Sequence, residues 1–160
     1  MNIDLILDTL NRHQVDYLLI GGINFLLRHK PYLTFDIDIL VRDEKNNLSR
    51  LNLALCDLEA KWGPNDRAWE KVPLNSDWLN RQILFCLTTK HGPLDVFRQV
   101  DGLENQYEDC VRQCVQGRTS GGITYRGISD YHMLQCQLAL PEHLRKAERV
   151  SILKAALEHP

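Results

Sequence analysis

Two aspartates one residue apart, Asp36 and Asp38, stand in the run LTFDIDILV among Phe35, Ile37, Ile39, Leu40 and Val41, where an ionised carboxylate is costly. In a strand, residues i and i+2 share a face, so the two carboxylates project together while Phe35, Ile37 and Ile39 turn the other way, into a core. Neighbouring carboxylates repel each other and call for a shared cation. Mg²⁺, which prefers carboxylate, water and phosphate oxygens, suits such a pair. Upstream, Gly21 and Gly22 separate DYLLI from INFLLRHK. Glycine lets backbone amides come close to a phosphate, and the helix that follows turns its positive end to the same anion. Together these features suit a metal-bound triphosphate; an Asp-x-Asp taken alone also reads as the solvated face of an edge strand.

The elements that must carry these residues follow from periodicity. Residues 3 to 13 alternate apolar and polar side chains as an amphipathic helix does, and Tyr17 to Ile20 read as a short buried strand. A two-turn helix then runs to Pro31, and FDIDILV forms the second strand. A helix with Leu48, Leu51, Leu55 and Leu58 on one face is expected to continue to Gly63-Pro64. Residues 63 to 80 read as a long loop. QILFCLTT and PLDVFRQV make an antiparallel hairpin around Lys90-His91-Gly92. GLENQYEDCVRQCVQG reads as a helix with Cys110 and Cys114 on one face, GGITYRGIS as a strand, and 130 to 139 and 142 to 157 as closing helices. The expected fold class is α/β (α+β), a small mixed β-sheet flanked by helices.

The chain has 160 residues, and neither repeats nor linkers divide it, so one domain is expected. Its 19 Lys plus Arg against 21 Asp plus Glu give a net charge of -2, which creates no global field for a polyanion. No apolar run approaches the roughly 18 residues of a membrane span. Asp4 and Asp8 interrupt the start of the chain where an export signal is basic and then apolar, so a cytoplasmic protein is expected. Five cysteines without a CxxC pair suit reduced, mostly buried thiols.

A hydrophobic residue, Gly-Gly, 13 residues and then Asp-hydrophobic-Asp resembles the signature of the DNA polymerase β-like nucleotidyltransferase superfamily. LIGGINFLLRH and LTFDIDILV are most similar to its small bacterial members, which include antibiotic-modifying enzymes and the AbiEii and MenA-like toxins. The resemblance covers residues 15 to 100 best, the implied catalytic core, with a helical part over 103 to 160. It implies a third carboxylate on a neighbouring strand, and Asp95 in HGPLDVF fits that role.

The implied activity moves an NMP from an NTP to a hydroxyl acceptor and releases pyrophosphate. Asp36, Asp38 and Asp95 would be the catalytic carboxylates and would hold two Mg²⁺ ions, for which Mn²⁺ can substitute. Gly21, Gly22 and Thr34 would contact the nucleotide. Thr34 equally suits a strand or a hydrogen bond to Asp36.

The acceptor is open between a small molecule and a tRNA end. The 61 to 80 loop, with Asp66, Glu70 and Asp77, could supply an acidic cleft for the former, and Arg145, Lys146, Arg149 and Lys154 a basic patch for the latter. Trp69 and Trp78 could stack on a ring, and Lys90, Arg98 and Arg126 could meet phosphates. Relatives often carry a basic residue where this chain has Tyr32, although Arg28, His29 and Lys30 are near. The competing class is a catalytically degenerate nucleotide-binding partner of antitoxin type.

Overall fold

The computed structural model describes residues 1–31, 33–63 and 69–159. Tyr32 and Asp66 lie outside them. Among the described residues, eight strands form one mixed sheet in the order β4-β3-β5-β6-β2-β1-β8-β7, and helices cover both faces. The strands are β1 (Tyr17–Ile20), β2 (Ile37–Val41), β3 (Lys61–Trp62), β4 (Glu70–Lys71), β5 (Leu84–Thr89), β6 (Gly92–Phe97), β7 (Val115–Arg118) and β8 (Thr124–Gly127). The helices are α1 (Ile3–Arg12), α2 (Gly21–Arg28), α3 (Lys45–Asp57), α4 (Tyr107–Arg112), α5 (Asp130–Ala139) and α6 (Ala147–Glu158). The expected α/β class with a mixed sheet is the observed one.

Alternation along the central strands assigns each face. Leu19 of β1, Ile37, Ile39 and Val41 of β2, Phe85 and Leu87 of β5, and Leu94 and Val96 of β6 join Ile6, Leu7 and Leu10 of α1 and Leu48, Leu51 and Leu55 of α3 in one core. Leu18, Ile20 and Leu40 point the other way, to Phe25 of α2, Met133 and Leu134 of α5 and Leu153 of α6. Asp38, between Ile37 and Ile39, belongs to this second face, and so by the same alternation do Asp95 and Cys86.

Several boundaries differ from those read in the sequence. β2 starts at Ile37, leaving Phe35 73% exposed rather than in the core. The ladder with β1 ends at Ile20↔Asp38, because β1 gives way to α2 at Gly21 and leaves residues 33 to 36 no strand to pair with. Helix α3 ends at Asp57: Glu59 takes φ 51, and Lys61 joins the sheet opposite Thr88. The predicted loop holds β4 and a 3-10 turn at Ser76–Asn80. Helix α4 stops at Arg112, so Cys114 lies beyond it, and Val115 starts a strand paired with β8. The last predicted helix is divided into a 3-10 turn, Glu142–Leu144, and α6. Of the five cysteines only Cys110 is buried, and Cys86 is exposed.

Asn52 ties part of the predicted loop to α3. Its buried amide donates to the carbonyls of Pro73 (3.0 Å) and Leu74 (2.9 Å) and accepts from Trp78 Nε1 (2.7 Å). Trp78 is thereby a core residue, tilted against Trp62 and edge-on to Phe85, not a free ring for a ligand. Replacing Asn52 with Leu keeps the volume and strands all three partners, and should lower stability by about 3 kcal/mol. Denaturant unfolding checks this; a loss under ~0.5 kcal/mol would show that the segment is held by its apolar contacts alone.

Candidate functional site

Asp38 and Asp95 are direct neighbours across the parallel β2–β6 ladder, and both side chains leave the core-facing side of the sheet. Asp36 reaches the same place from the bend ahead of β2. One oxygen from each of the three carboxylates lies within 4.8 Å of the others, and all three residues are half-buried. A spacing of two residues put Asp36 beside Asp38; only the register of β2 on β6 brings in Asp95.

Burial raises Asp38 first, and the charges of Asp36 and Asp95 add to it, so its carboxyl is pushed up to about 7. The Gly22 backbone N–H, which donates to Asp38, and the Arg149 charge act in the opposite direction. Asp95 is also raised, by burial and then by Asp36, against a hydrogen bond from Cys86. Three oxygen donors that cannot all ionise comfortably without a counter-charge form a donor set suited to a hard divalent cation such as Mg²⁺.

The glycines are built into the same corner. Helix α2 begins at Gly21, immediately after β1, so its first turn lies beside the N-terminal end of β2. Gly21 has φ +64, and a Cβ there would stand 1.9 Å from Asp38 Oδ2. A Cβ on Gly22 would stand 2.6 Å from Thr34 Oγ1. The Thr34 hydroxyl lies 3.3 Å from both the backbone oxygen and Oδ1 of Asp36, and donates to either. All six residues singled out in the sequence for the site therefore meet at one end of β1 and β2.

Other candidates have different partners. Lys90 pairs with Glu59 at 3.1 Å, Arg98 with Asp43 at 2.8 Å and Arg126 with Asp16 at 2.7 Å. Arg28 and His29 both hold Asp130, at 2.8 and 2.9 Å, and Lys30 pairs with Glu148, which fastens the end of α2 to α5 and α6. The basic patch expected near the chain's end is broken up. Arg145 donates to the carbonyls of Leu138 and Leu140, and Arg149 is buried over the Phe25 ring. Arg149, read in the sequence only as part of that basic patch, has another role that the sequence reading missed: its charge acts on Asp38 from α6. Its signal was an arginine within an otherwise apolar helical face, Val150, Ile152 and Leu153 being its neighbours. A cavity of 380 Å³ opens next to Gly21 and Asp38, between the sheet and the C-terminal end of α5.

No protein-family model matches the chain, and no curated protein matches its sequence. Solved structures do match. The chain is similar in fold to TM1012 of Thermotoga maritima, described as a candidate nucleotidyltransferase, at 14% identity and TM-score 0.52, over 97% of this chain and 89% of that one. It is also similar to ANT(2'')-Ia, crystallised with adenylyl-2''-tobramycin, at 13% identity and TM-score 0.60, over 97% and 87% of the two chains. The solution structure of the same antibiotic-resistance factor matches at 15% identity and TM-score 0.53, over 98% and 89%.

Proposed function

We propose that this chain, whose fold is that of the nucleotidyltransferases, moves an NMP from an NTP to a hydroxyl acceptor with release of pyrophosphate. The observation that carries the reading is the meeting of three carboxylates at the first turn of α2, with oxygens within 4.8 Å of one another. Asp36, Asp38 and Asp95 would hold divalent cations, Mg²⁺ by the chemistry of their oxygens. Such ions neutralise phosphate charge and lower the pKa of a bound hydroxyl.

The chain's own residues supply position. Gly21 and Gly22 leave the start of α2 without side chains, so a phosphate can approach the backbone amides there. The Gly22 N–H, held by Asp38 in the absence of ligand, is the donor nearest to hand. Thr34 fixes the Asp36 carboxylate from the adjacent loop. Asp95, on the far side of Asp38 from α2, faces the acceptor, whose hydroxyl proton its carboxylate can receive. ANT(2'')-Ia bound to an adenylylated aminoglycoside supports a small hydroxyl compound as acceptor in kind, and the loss of Arg149 from the basic patch weakens the case for a tRNA end.

Calorimetric titration of the chain with ATP, CTP, GTP and UTP, with and without Mg²⁺, tests the reading: Mg²⁺-dependent binding is expected, and no binding of any nucleotide would favour a degenerate partner protein. The metal step should also depend on pH. Asp38 must lose its proton to bind a cation, and its carboxyl titrates at about 7, so Mg²⁺ affinity should rise about tenfold from pH 6 to pH 8. An affinity constant over that range would mean that Asp38 is not a ligand.

A further inference from the structure

We infer that the cavity beside Asp38 receives the base of the donor nucleotide and that Gln137 reads the edge of that base, an inference that rests on the nucleotidyl-transfer reading. The cavity, 380 Å³, touches Gly21 and Asp38 but neither Asp36 nor Asp95. It therefore adjoins the site on the side where the glycines would hold phosphates, and the acceptor side is left free. Its walls are apolar: Ile20, Phe97 and Leu140 line it, and Ile83 at the mouth is 52% exposed. Among the described residues no lysine or arginine lines it, so a phosphate chain would lie there without a counter-charge from them, whereas a flat neutral ring would cover the apolar surface.

The polar side chains of this lining are those of Asp38, Gln99, Asp101, Cys136 and Gln137, and Gln99 is exposed, at the outer edge. Gln137 is 7% exposed, and its Oε1 accepts the Lys146 backbone N–H at 3.1 Å. Its Nε2 has no hydrogen-bond partner among the described residues. Nε2 is not fully buried, so this donor is open to the cavity, where the acceptor of a ligand can take the place of water. Asp101, exposed on the same lining, supplies carboxylate oxygens as acceptors. A donor from Gln137 and an acceptor from Asp101 match a base that sets an acceptor beside an exocyclic amino group, and they disfavour uracil, which has no amino group.

The test is calorimetry of the full chain in Mg²⁺ with the four NTPs and with inorganic tripolyphosphate, for the wild type, Gln137→Glu and Leu140→Trp. Gln137→Glu keeps the acceptor for the Lys146 amide, so α5 and α6 stay joined; it replaces the donor with a carboxylate oxygen, and the tripolyphosphate titration reads the effect of the added charge apart from that of the lost donor. Leu140 is partly exposed, so a larger ring there can fill the cavity without disturbing the core. The expected result is that the wild type binds amino-bearing NTPs more tightly than UTP. Gln137→Glu should weaken the preferred NTP about tenfold and narrow that preference. Leu140→Trp should weaken every NTP, and tripolyphosphate should bind all three proteins alike. Equal NTP affinities in the wild type and both variants would overturn the base pocket and leave nucleotidyl transfer standing. Wild-type protein that binds neither tripolyphosphate nor any NTP would overturn the transfer reading and this inference with it.

Discussion

Asp38→Asn should abolish nucleotidyl transfer and at the same time make the metal-free protein more stable. The loss of activity, roughly 10²–10³-fold or more, follows from removing the one carboxylate that adjoins the glycines and both other acids. The gain in stability follows from the raised titration of Asp38. Its folded-state value, about 7, lies above the roughly 3.9 of an unfolded chain. The native state therefore holds the proton more tightly, and the stability that this binding contributes is complete below about pH 4 and lost as pH rises through 7. Asparagine carries no charge to lose.

The variant should thus melt on the order of 5 °C above the wild type at pH 8 without metal, and the difference should close towards pH 4. Thermal unfolding in a chelator at both pH values measures it. A variant that is less stable than wild type at pH 8 would mean that the Asp38 charge is already compensated, by the Gly22 amide and Arg149, and needs no cation.

Gly21→Ala should damage both fold and site, and more severely than Gly22→Ala. At Gly21 the backbone is left-handed, which costs an alanine about 1 kcal/mol before any contact is considered. The new Cβ would also stand 1.9 Å from Asp38 Oδ2, so the carboxylate must leave its place beside Asp95. At Gly22 the backbone is not left-handed and the contacts are longer, 2.6 Å to Thr34 Oγ1 and 2.9 Å to its Cβ, so a shift of the loop that carries Thr34 relieves them and leaves Asp38 in place. Thermal melts and Mg²⁺ titrations of the two variants should rank Gly21→Ala well below Gly22→Ala in both readouts. The reverse ranking would shift the essential contact from Asp38 to the phosphate-facing side of Gly22.

The meeting of carboxylates and glycines at one corner was partly legible because its pieces are local. The Gly-Gly pair and the Asp-x-Asp pair are each a few residues long, and period-2 alternation is enough to set Asp38 against Ile37 and Ile39. The hairpin of β5 and β6 was equally plain, since its strands are adjacent in sequence and its turn carries glycine. What misled was also local: Phe35 continues the apolar alternation of β2, yet it is exposed, because strand pairing depends on a partner and β1 has already turned into α2. The extended α3 and α4 failed for the same reason, as edge pairing to β5 and β8 claimed residues whose own preference was helical.

By itself, then, the sequence determined the class of fold, the order of its central elements and the identity of six residues that meet at one corner. Tertiary structure alone decided that Asp95 faces Asp38, because a parallel register between strands separated by a helix, two short strands and a hairpin is not written in either strand. It also decided that Arg149 is buried against Phe25 and acts on the Asp38 carboxylate, and that Trp78 serves the core. The physical reason is common to these cases: the environment of a charged or aromatic side chain is set by what packs on it from distant parts of the chain, and neither composition nor periodicity carries that information.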